Sequence, residues 1–132
     1  MIKKIDISNY LYVLMMIAMF FCGTALGQEF INGDFNEKIA KDIVAVEFWA
    51  DWNSANQFND LVKLKECEKY RLDIMANADT QAEYNITGIP TVIIFDNGIE
   101  KARFNPNIMF KLDACKKTVQ HSVDTIKLSK FQ

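Results

Sequence analysis

Residues 43–56 read IVAVEFWADWNSAN, and this stretch decides the fold. Its first eight residues form a continuous run of β-branched, aromatic and small apolar side chains that only Glu47 interrupts. Such runs are typical of strands that are covered on both faces in a parallel or mixed sheet. Asn53 follows the run and belongs to the residue types that best cap the N-terminus of a helix. The stretch therefore predicts a buried strand and then a helix, whose inward residues would be Phe58, Leu61, Val62 and Leu64.

The sequence on either side predicts further helices and strands in alternation. Before the central strand, Asp34 and Glu37 form a capping-box-like start for a short helix that ends near Lys41. After it, residues 70–74 have the composition of a strand, and Asp79 would cap a helix that extends to position 84.

A hairpin is the clearest local signal in the chain. Asn97 and Gly98 tolerate the two positive φ angles of a type I′ turn, so residues 91–96 and 99–104 should pair as antiparallel strands. Asp113 would then cap a terminal helix, whose inward residues would be Cys115 or Ala114, Val119, Val123 and Ile126. This order of elements predicts an α/β fold in which helices lie on both faces of a sheet.

Length and composition indicate one folded domain and argue against several function classes. The chain has 132 residues, of which 50% are apolar and 24% charged, which is too apolar for a disordered chain. The net charge of −2, without a basic stripe, argues against nucleic-acid binding. The single His and the three Cys do not cluster at ligand spacing, so we expect neither a metal site nor another cofactor.

The N-terminal segment has the features of an export signal. Two lysines precede a charge-free stretch over 7–28, whose apolar centre over 10–22 suits a signal-peptide core and is short for a membrane span. Ala25-Leu26-Gly27 places small residues where signal peptidase cleaves. The alternative is an uncleaved anchor, and only that segment would contact the membrane. We therefore predict a signal peptide over 1–27, a domain over 28–132, and a periplasmic or secreted location.

Two segments resemble the thioredoxin family. Residues 46–56 are similar to its active-site segment, in which an apolar strand with one acid leads to Phe-Trp-Ala-x-Trp and a Cys-x-x-Cys pair. Gly88-Ile89-Pro90-Thr91, with Phe95 and Asn97-Gly98 after it, resembles the family's cis-proline strand and hairpin. The resemblance covers most of 28–132. It implies a thioredoxin-like fold, with a central mixed β-sheet flanked by helices on both faces.

The sequence departs from the family at the residues that carry its chemistry. Asn53 and Asn56 stand where the family has its two cysteines. Dithiol exchange needs one thiolate to attack a disulfide and a second thiol to resolve the mixed disulfide, and a carboxamide can do neither. The resemblance therefore implies the fold without dithiol–disulfide exchange at this site. Glu47 stands at the family's buried acid, either as a structural remnant bonded to water or as a live proton acceptor, with burial raising its pKa.

The substituted segment would instead bind a polypeptide. Asn53 is interpreted most simply as a helix cap, with Asn56 facing solvent or the cap; alternatively both amides hydrogen-bond an extended peptide. The family holds substrates partly through backbone pairing beside the cis-proline, so Ile89 and Pro90 imply that strand addition is retained. Trp52 would line that groove, or else pack on the neighbouring helix. We predict a polypeptide-binding or scaffold module with Trp52, Asn53, Ile89 and Pro90 as binding residues.

The remaining cysteines provide an alternative function. Cys115 stands at the start of the terminal helix beside Lys116 and Lys117, and both a helix N-terminus and cations stabilise a thiolate. The alternative is a thiol–disulfide oxidoreductase of reduced scope that uses Cys115 alone. The simpler interpretation of Cys115 is a small apolar residue packed on the sheet. Cys67 is predicted to be buried, and a Cys67–Cys115 disulfide is the remaining option in an exported protein.

Two differences in length also separate the chain from the family. The segment between Asn53 and Pro90 is shorter than in ordinary thioredoxins, which predicts a truncated second helix. Asn105-Pro106-Asn107 stands where the family usually has a glycine after its last strand, and extra residues follow up to Leu112. We expect this segment to reshape or cover the groove, although its sequence pattern does not predict whether it forms a helix, a strand or a loop.

Overall fold

A computed structural model describes residues 29–31 and 33–132, so the predicted signal peptide over 1–27 lies outside the described residues. The described strands form one five-stranded mixed sheet. They are β1 (Glu29–Phe30), β2 (Ile43–Trp49), β3 (Glu68–Asp73), β4 (Thr91–Asp96) and β5 (Ile99–Phe104). Their spatial order is β1-β3-β2-β4-β5; β1, β3 and β2 run parallel, whereas β4 is antiparallel to β2 and to β5.

Helices cover both faces of this sheet, as predicted. They are α1 (Phe35–Ile39), two 3₁₀ helices (Asp51–Asn56 and Asn59–Lys63), α2 (Ala78–Glu83) and α3 (Lys116–Ser129). On one face, α1 and Tyr84, the residue that follows α2, pack against the even-numbered side chains of β2, which are Val44, Val46 and Phe48. On the other face, the second 3₁₀ helix and α3 pack against the odd positions. In the described part of the chain, we find no helix long and apolar enough to cross a membrane.

The central strand and the hairpin follow the sequence pattern closely. The first six residues of β2 are buried, because the strand has a neighbour on each side and a helical layer on each face. In the hairpin, Asn97 has φ 49° and Gly98 has φ 84°, so both turn residues adopt positive φ and the type I′ prediction is confirmed. Val119 and Val123 of α3 are fully buried, which confirms the inward face of the terminal helix.

The second helix is truncated, as predicted, but it consists of 3₁₀ helices and not of an α-helix. The two 3₁₀ helices replace a single α-helix, and Phe58 lies between them. Phe58, Leu61 and Leu64 are buried, while Val62 is half-buried. Their spacing of three residues matches the three-residue turn of a 3₁₀ helix, which aligns side chains at i and i+3. The prediction that Phe58, Leu61 and Leu64 face inward is therefore confirmed, and the prediction of an α-helix is wrong.

The predicted side-chain caps are wrong. Asp34 precedes α1 but lies in the left-handed region with φ 45°, and its side chain makes no cap hydrogen bond. The residue before α2 is Asn77 and not Asp79, which lies inside the first turn. Similarly, α3 begins after Cys115, two residues beyond Asp113. Buried residues fix α1 and α3 against the sheet, whereas α2 has none, and none of the three helices has a side-chain cap hydrogen bond.

Candidate functional site

The site begins where β2 leaves the sheet. Ala50 is buried below the first 3₁₀ helix, and the next aromatic residue, Trp52, has 61% of its surface exposed. The Trp52 ring packs on a residue of a segment that is distant in sequence. It contacts the ring of Phe110 edge-on, with the ring centroids 5.7 Å apart. Trp52 therefore presents an apolar surface to solvent, and its ring contacts Phe110, which is far away in the sequence.

Asn53 is buried, with 6% of its surface exposed, and its side-chain amide points inward. Its Nδ2 donates to the Ile89 carbonyl at 3.1 Å and to the Phe110 carbonyl at 3.0 Å. Its Oδ1 accepts from Asn56 Nδ2 at 2.8 Å. Both Nδ2 protons are thus used, and no donor is left for an added peptide. The helix-cap interpretation of Asn53 is wrong, since the residue lies within the 3₁₀ helix and bonds across the site instead.

The cis-proline segment forms the opposite side of the site. The Ile89–Pro90 peptide bond is cis, as the family resemblance implied. Ile89 is buried, and the Thr91 hydroxyl donates to the Gly88 carbonyl at 2.7 Å, which closes a tight turn. Gly88 is in close contact with another segment: a Cβ built on it would lie 2.9 Å from Cγ of Pro106.

Residues 105–113, here called the 105–113 loop, are the segment whose conformation the sequence left open. The Asp113 N–H donates to the Asn105 carbonyl at 3.3 Å and thereby closes the loop. At its tip, Asn107 Oδ1 accepts from the N–H groups of Met109 at 2.9 Å and of Lys111 at 3.2 Å. The loop contacts the motif through Phe110 and the cis-proline segment through Pro106. It therefore lies against both sides of the site.

Glu47 is fully buried and paired with a residue that sequence reasoning missed. Its Oε2 accepts from Arg71 Nε at 2.8 Å, and its Oε1 accepts from the Phe58 N–H at 2.5 Å. Burial raises the pKa of Glu47, and the charge of Arg71 and these hydrogen bonds lower it in part. Glu47 and Arg71 are register partners on β2 and β3. An arginine within a buried strand was the signal that could have revealed this pair.

The two cysteines in the described residues are both free. Cys115 is exposed and so is not packed on the sheet, which corrects the simpler interpretation. Its Sγ lies 3.3 Å from the Thr118 hydroxyl. Hydrogen bonds, first of all from Thr118, lower the pKa of Cys115, and the charges of Lys116 and Lys117 are not the cause. Cys67 is half-buried, and burial raises its pKa to about 11.

The described residues place no group of three or more His, Cys, Asp or Glu side chains where a metal ion could be held. The groups that the structure brings together at the motif are side-chain amides, aromatic rings and backbone carbonyls. This arrangement can hold segments together by hydrogen bonds and can present apolar surface, and neither Asn53 nor Asn56 supplies a thiol.

Comparisons with known proteins agree with this architecture. The thioredoxin family model matches residues 28–120. The chain is 34% identical to thioredoxin from Mycoplasma genitalium, in a match that covers 48% of this chain and 69% of the relative. It is 30% identical to thioredoxin from Staphylococcus aureus, with 51% of this chain and 71% of the relative covered.

Solved structures show the same fold. A point mutant of thioredoxin from Halobacterium salinarum NRC-1 superposes with a TM-score of 0.61 at 16% identity, over 79% of this chain and 96% of that one. A point mutant of thioredoxin from Entamoeba histolytica superposes with a TM-score of 0.57 at 18% identity, over 75% of this chain and 99% of that one. With this family match across most of the described domain, the chain belongs to the thioredoxin family.

Proposed function

We propose that this protein is an exported thioredoxin-fold module that binds a polypeptide or acts as a scaffold, without dithiol–disulfide exchange at the motif. The observation that carries the proposal is the state of the motif amides. Asn53 and Asn56 hydrogen-bond each other and the neighbouring backbone, at the positions where the family chemistry needs two sulfur atoms. An amide supplies neither a thiolate nor a resolving thiol.

The buried acid supports the same conclusion. A proton acceptor for a resolving cysteine needs free access to the thiol, but both oxygens of Glu47 accept hydrogen bonds, from Arg71 and from Phe58. A buried carboxylate in such a pair chiefly stabilises the local structure, because separating it from its partner leaves a charge without solvation. Glu47 is therefore assigned a structural role.

The polypeptide-binding part of the proposal rests on the surface beside the motif. Trp52 exposes most of its ring, and Ile89 and Pro90 retain the backbone arrangement that the resemblance connects with strand addition. Asn53 contributes by positioning the Ile89 carbonyl, since its own amide is engaged. The proposed ligand is an extended polypeptide segment that packs on Trp52 and pairs with the backbone at Ile89.

Site-specific photocrosslinking tests this proposal. A photoreactive residue at position 52 should label a polypeptide in the exported compartment, and the same residue at the exposed position 131, near the end of the chain, provides the matched control. Labelling at neither position, or equal labelling at both, would contradict binding at the motif. An insulin-disulfide reduction assay should show no activity, and turnover at the rate of a dithiol thioredoxin would remove the non-catalytic part of the proposal.

The alternative function is a one-cysteine exchange at Cys115. It is favoured by one observation, an exposed thiol whose pKa is lowered by its hydrogen bond to Thr118. The Cys115 thiolate would attack a disulfide, break its S–S bond, form a mixed disulfide with one sulfur and release the other as a thiolate. An external thiol would then attack the mixed disulfide and release Cys115 as a thiolate. If Cys115 is alkylated no faster than a free model thiol at neutral pH, this alternative is excluded.

A further inference from the structure

The 105–113 loop occupies the edge of the surface to which the proposed function assigns a polypeptide. Pro106 packs against Gly88, the Phe110 ring contacts Trp52, and the Phe110 carbonyl accepts a hydrogen bond from Asn53. Two residues of the loop make these three contacts: Phe110 reaches the motif, and Pro106 reaches the cis-proline segment. The loop is therefore seated on the surface at two points.

The hydrogen bonds of Asn53 connect loop position to ligand access. One proton of its Nδ2 goes to the Ile89 carbonyl, which is an acceptor that an added strand would use, and the other goes to Phe110. Asn56 fixes the orientation of the Asn53 amide by donating to its Oδ1. A single side chain thus engages the ligand-pairing carbonyl and ties the loop beside it.

The loop is also ordered by its own bonds, so it needs no ligand to keep its shape. Asn107 organises the tip, where its N–H donates to the Lys111 carbonyl at 2.7 Å and its Oδ1 accepts two further N–H groups. The apolar side chain at the top of this turn, Ile108, is 97% exposed. Because the loop is already ordered, its contacts with the motif and the cis-proline segment cost little conformational entropy. This favours the arrangement in which the loop stays on the polypeptide surface.

We propose that the 105–113 loop is an internal occupant of the polypeptide surface, held by Asn53 as a latch. A polypeptide gains the part of Trp52 that Phe110 contacts when the bond from Asn53 to Phe110 opens. The Ile89 carbonyl keeps its bond from Asn53 and can accept a second hydrogen bond from the polypeptide through its other lone pair. The inference rests on the proposed function for its ligand, while the latch itself is a property of the free protein. One neutral hydrogen bond corresponds to about a tenfold change in an equilibrium, so loosening the latch should strengthen polypeptide binding about tenfold.

Two variants of the full-length protein test the latch. Asn53→Ala removes both bonds from the amide, and hydrogen exchange followed by mass spectrometry should then be faster over 105–113. Because Asn53 is buried, the second variant, Asn107→Ala, changes an exposed residue. It removes the side-chain hydrogen bonds that order the tip of the loop, and the side-chain amide protons of Asn53 should then exchange faster by NMR. Asn36→Ala, an exposed asparagine on α1, is the control and should change neither signal.

Binding is measured by fluorescence anisotropy with reduced, carboxymethylated α-lactalbumin, an unfolded polypeptide. We expect Asn107→Ala, which leaves the bond from Asn53 to the Ile89 carbonyl in place, to bind this probe about tenfold more tightly than wild type and the Asn36→Ala control. Asn53→Ala also loses that bond, so it is read by hydrogen exchange alone. Faster exchange in Asn107→Ala with unchanged or weaker binding would overturn the latch and leave the proposed function intact. Unchanged exchange in both variants would also overturn it. Faster exchange with no binding by any form would count against the proposed function as well.

Discussion

Replacing Gly88 by alanine probes the contact between the cis-proline segment and the 105–113 loop. An added Cβ would lie 2.9 Å from Pro106 Cγ and 3.7 Å from its Cδ. Carbon atoms pack favourably at about 3.5–4.0 Å, so the first contact is too close and the second is ordinary. Pro106 is a ring residue and cannot rotate its Cγ away as a flexible side chain would. We expect the loop or the turn at Gly88 to shift.

The expected change in stability follows from two opposing effects. Gly88 does not have the positive φ that makes alanine strained, so the substitution stabilises by about 0.4–1 kcal/mol through the unfolded chain. Overpacking costs about 1–3 kcal/mol. The net result should be a loss of about 1–2 kcal/mol in the free energy of unfolding, measured by urea denaturation with an unchanged m-value.

A double-mutant cycle isolates the contact. Pro106→Ala removes the two ring atoms that the new Cβ would meet, so it should restore most of the loss in Gly88→Ala, with a coupling of about 1–2 kcal/mol. Gly33→Ala is the matched control: its Cβ would meet nothing within 4 Å, but its φ of 76° makes alanine strained. Pro106→Ala should not rescue this control. If Gly88→Ala is as stable as wild type and exchange in the loop is unchanged, the packing argument is refuted.

Three further predictions concern other parts of the molecule. Arg71→Met should lower the free energy of unfolding by about 3–5 kcal/mol in urea denaturation, because Glu47 is left buried without its partner, and adding Glu47→Leu should recover most of it. Thr118→Val should raise the pKa of Cys115 and so slow its alkylation at neutral pH, measured by mass spectrometry; unchanged kinetics would contradict the hydrogen-bond explanation. Val123→Ala should destabilise by about 2 kcal/mol, because the side chain is fully buried under the sheet, and a loss below the error of urea denaturation would contradict this.

Four of the five strands could be predicted from the sequence because their signals are local, whereas the two-residue edge strand β1 was not predicted. Burial along β2 reflects a run of apolar residues, and the hairpin follows from the tolerance of Asn97 and Gly98 for positive φ. Both patterns can be recognised without knowing which segments pack together. The 3₁₀ helices escaped prediction because the three-residue spacing of Phe58, Leu61 and Leu64 also fits one face of a short α-helix.

The contacts of the site could not be predicted, because they join residues far apart in sequence. Asn53 bonds to a carbonyl 57 residues later, in a loop whose side chains have no helical or strand periodicity. A local interpretation of Asn53 therefore favoured a cap, since Asn is among the best N-cap residues wherever a helix follows a strand. The partner of Glu47 was missed for the same reason, as strand register alone brings Arg71 beside it.

The asparagine at position 53, where the family has a cysteine, and the position of the 105–113 loop are physically connected. An asparagine amide has two N–H protons, and Asn53 gives one to Ile89 and one to Phe110. A thiol offers one weak donor, so a cysteine at this position could not hold both carbonyls. The Asn53 amide therefore bonds both the loop and the cis-proline segment, which a thiol at this position could not do. On this argument Asn53 is more than the remnant of a lost motif, and its role depends on residues 105–113 being present.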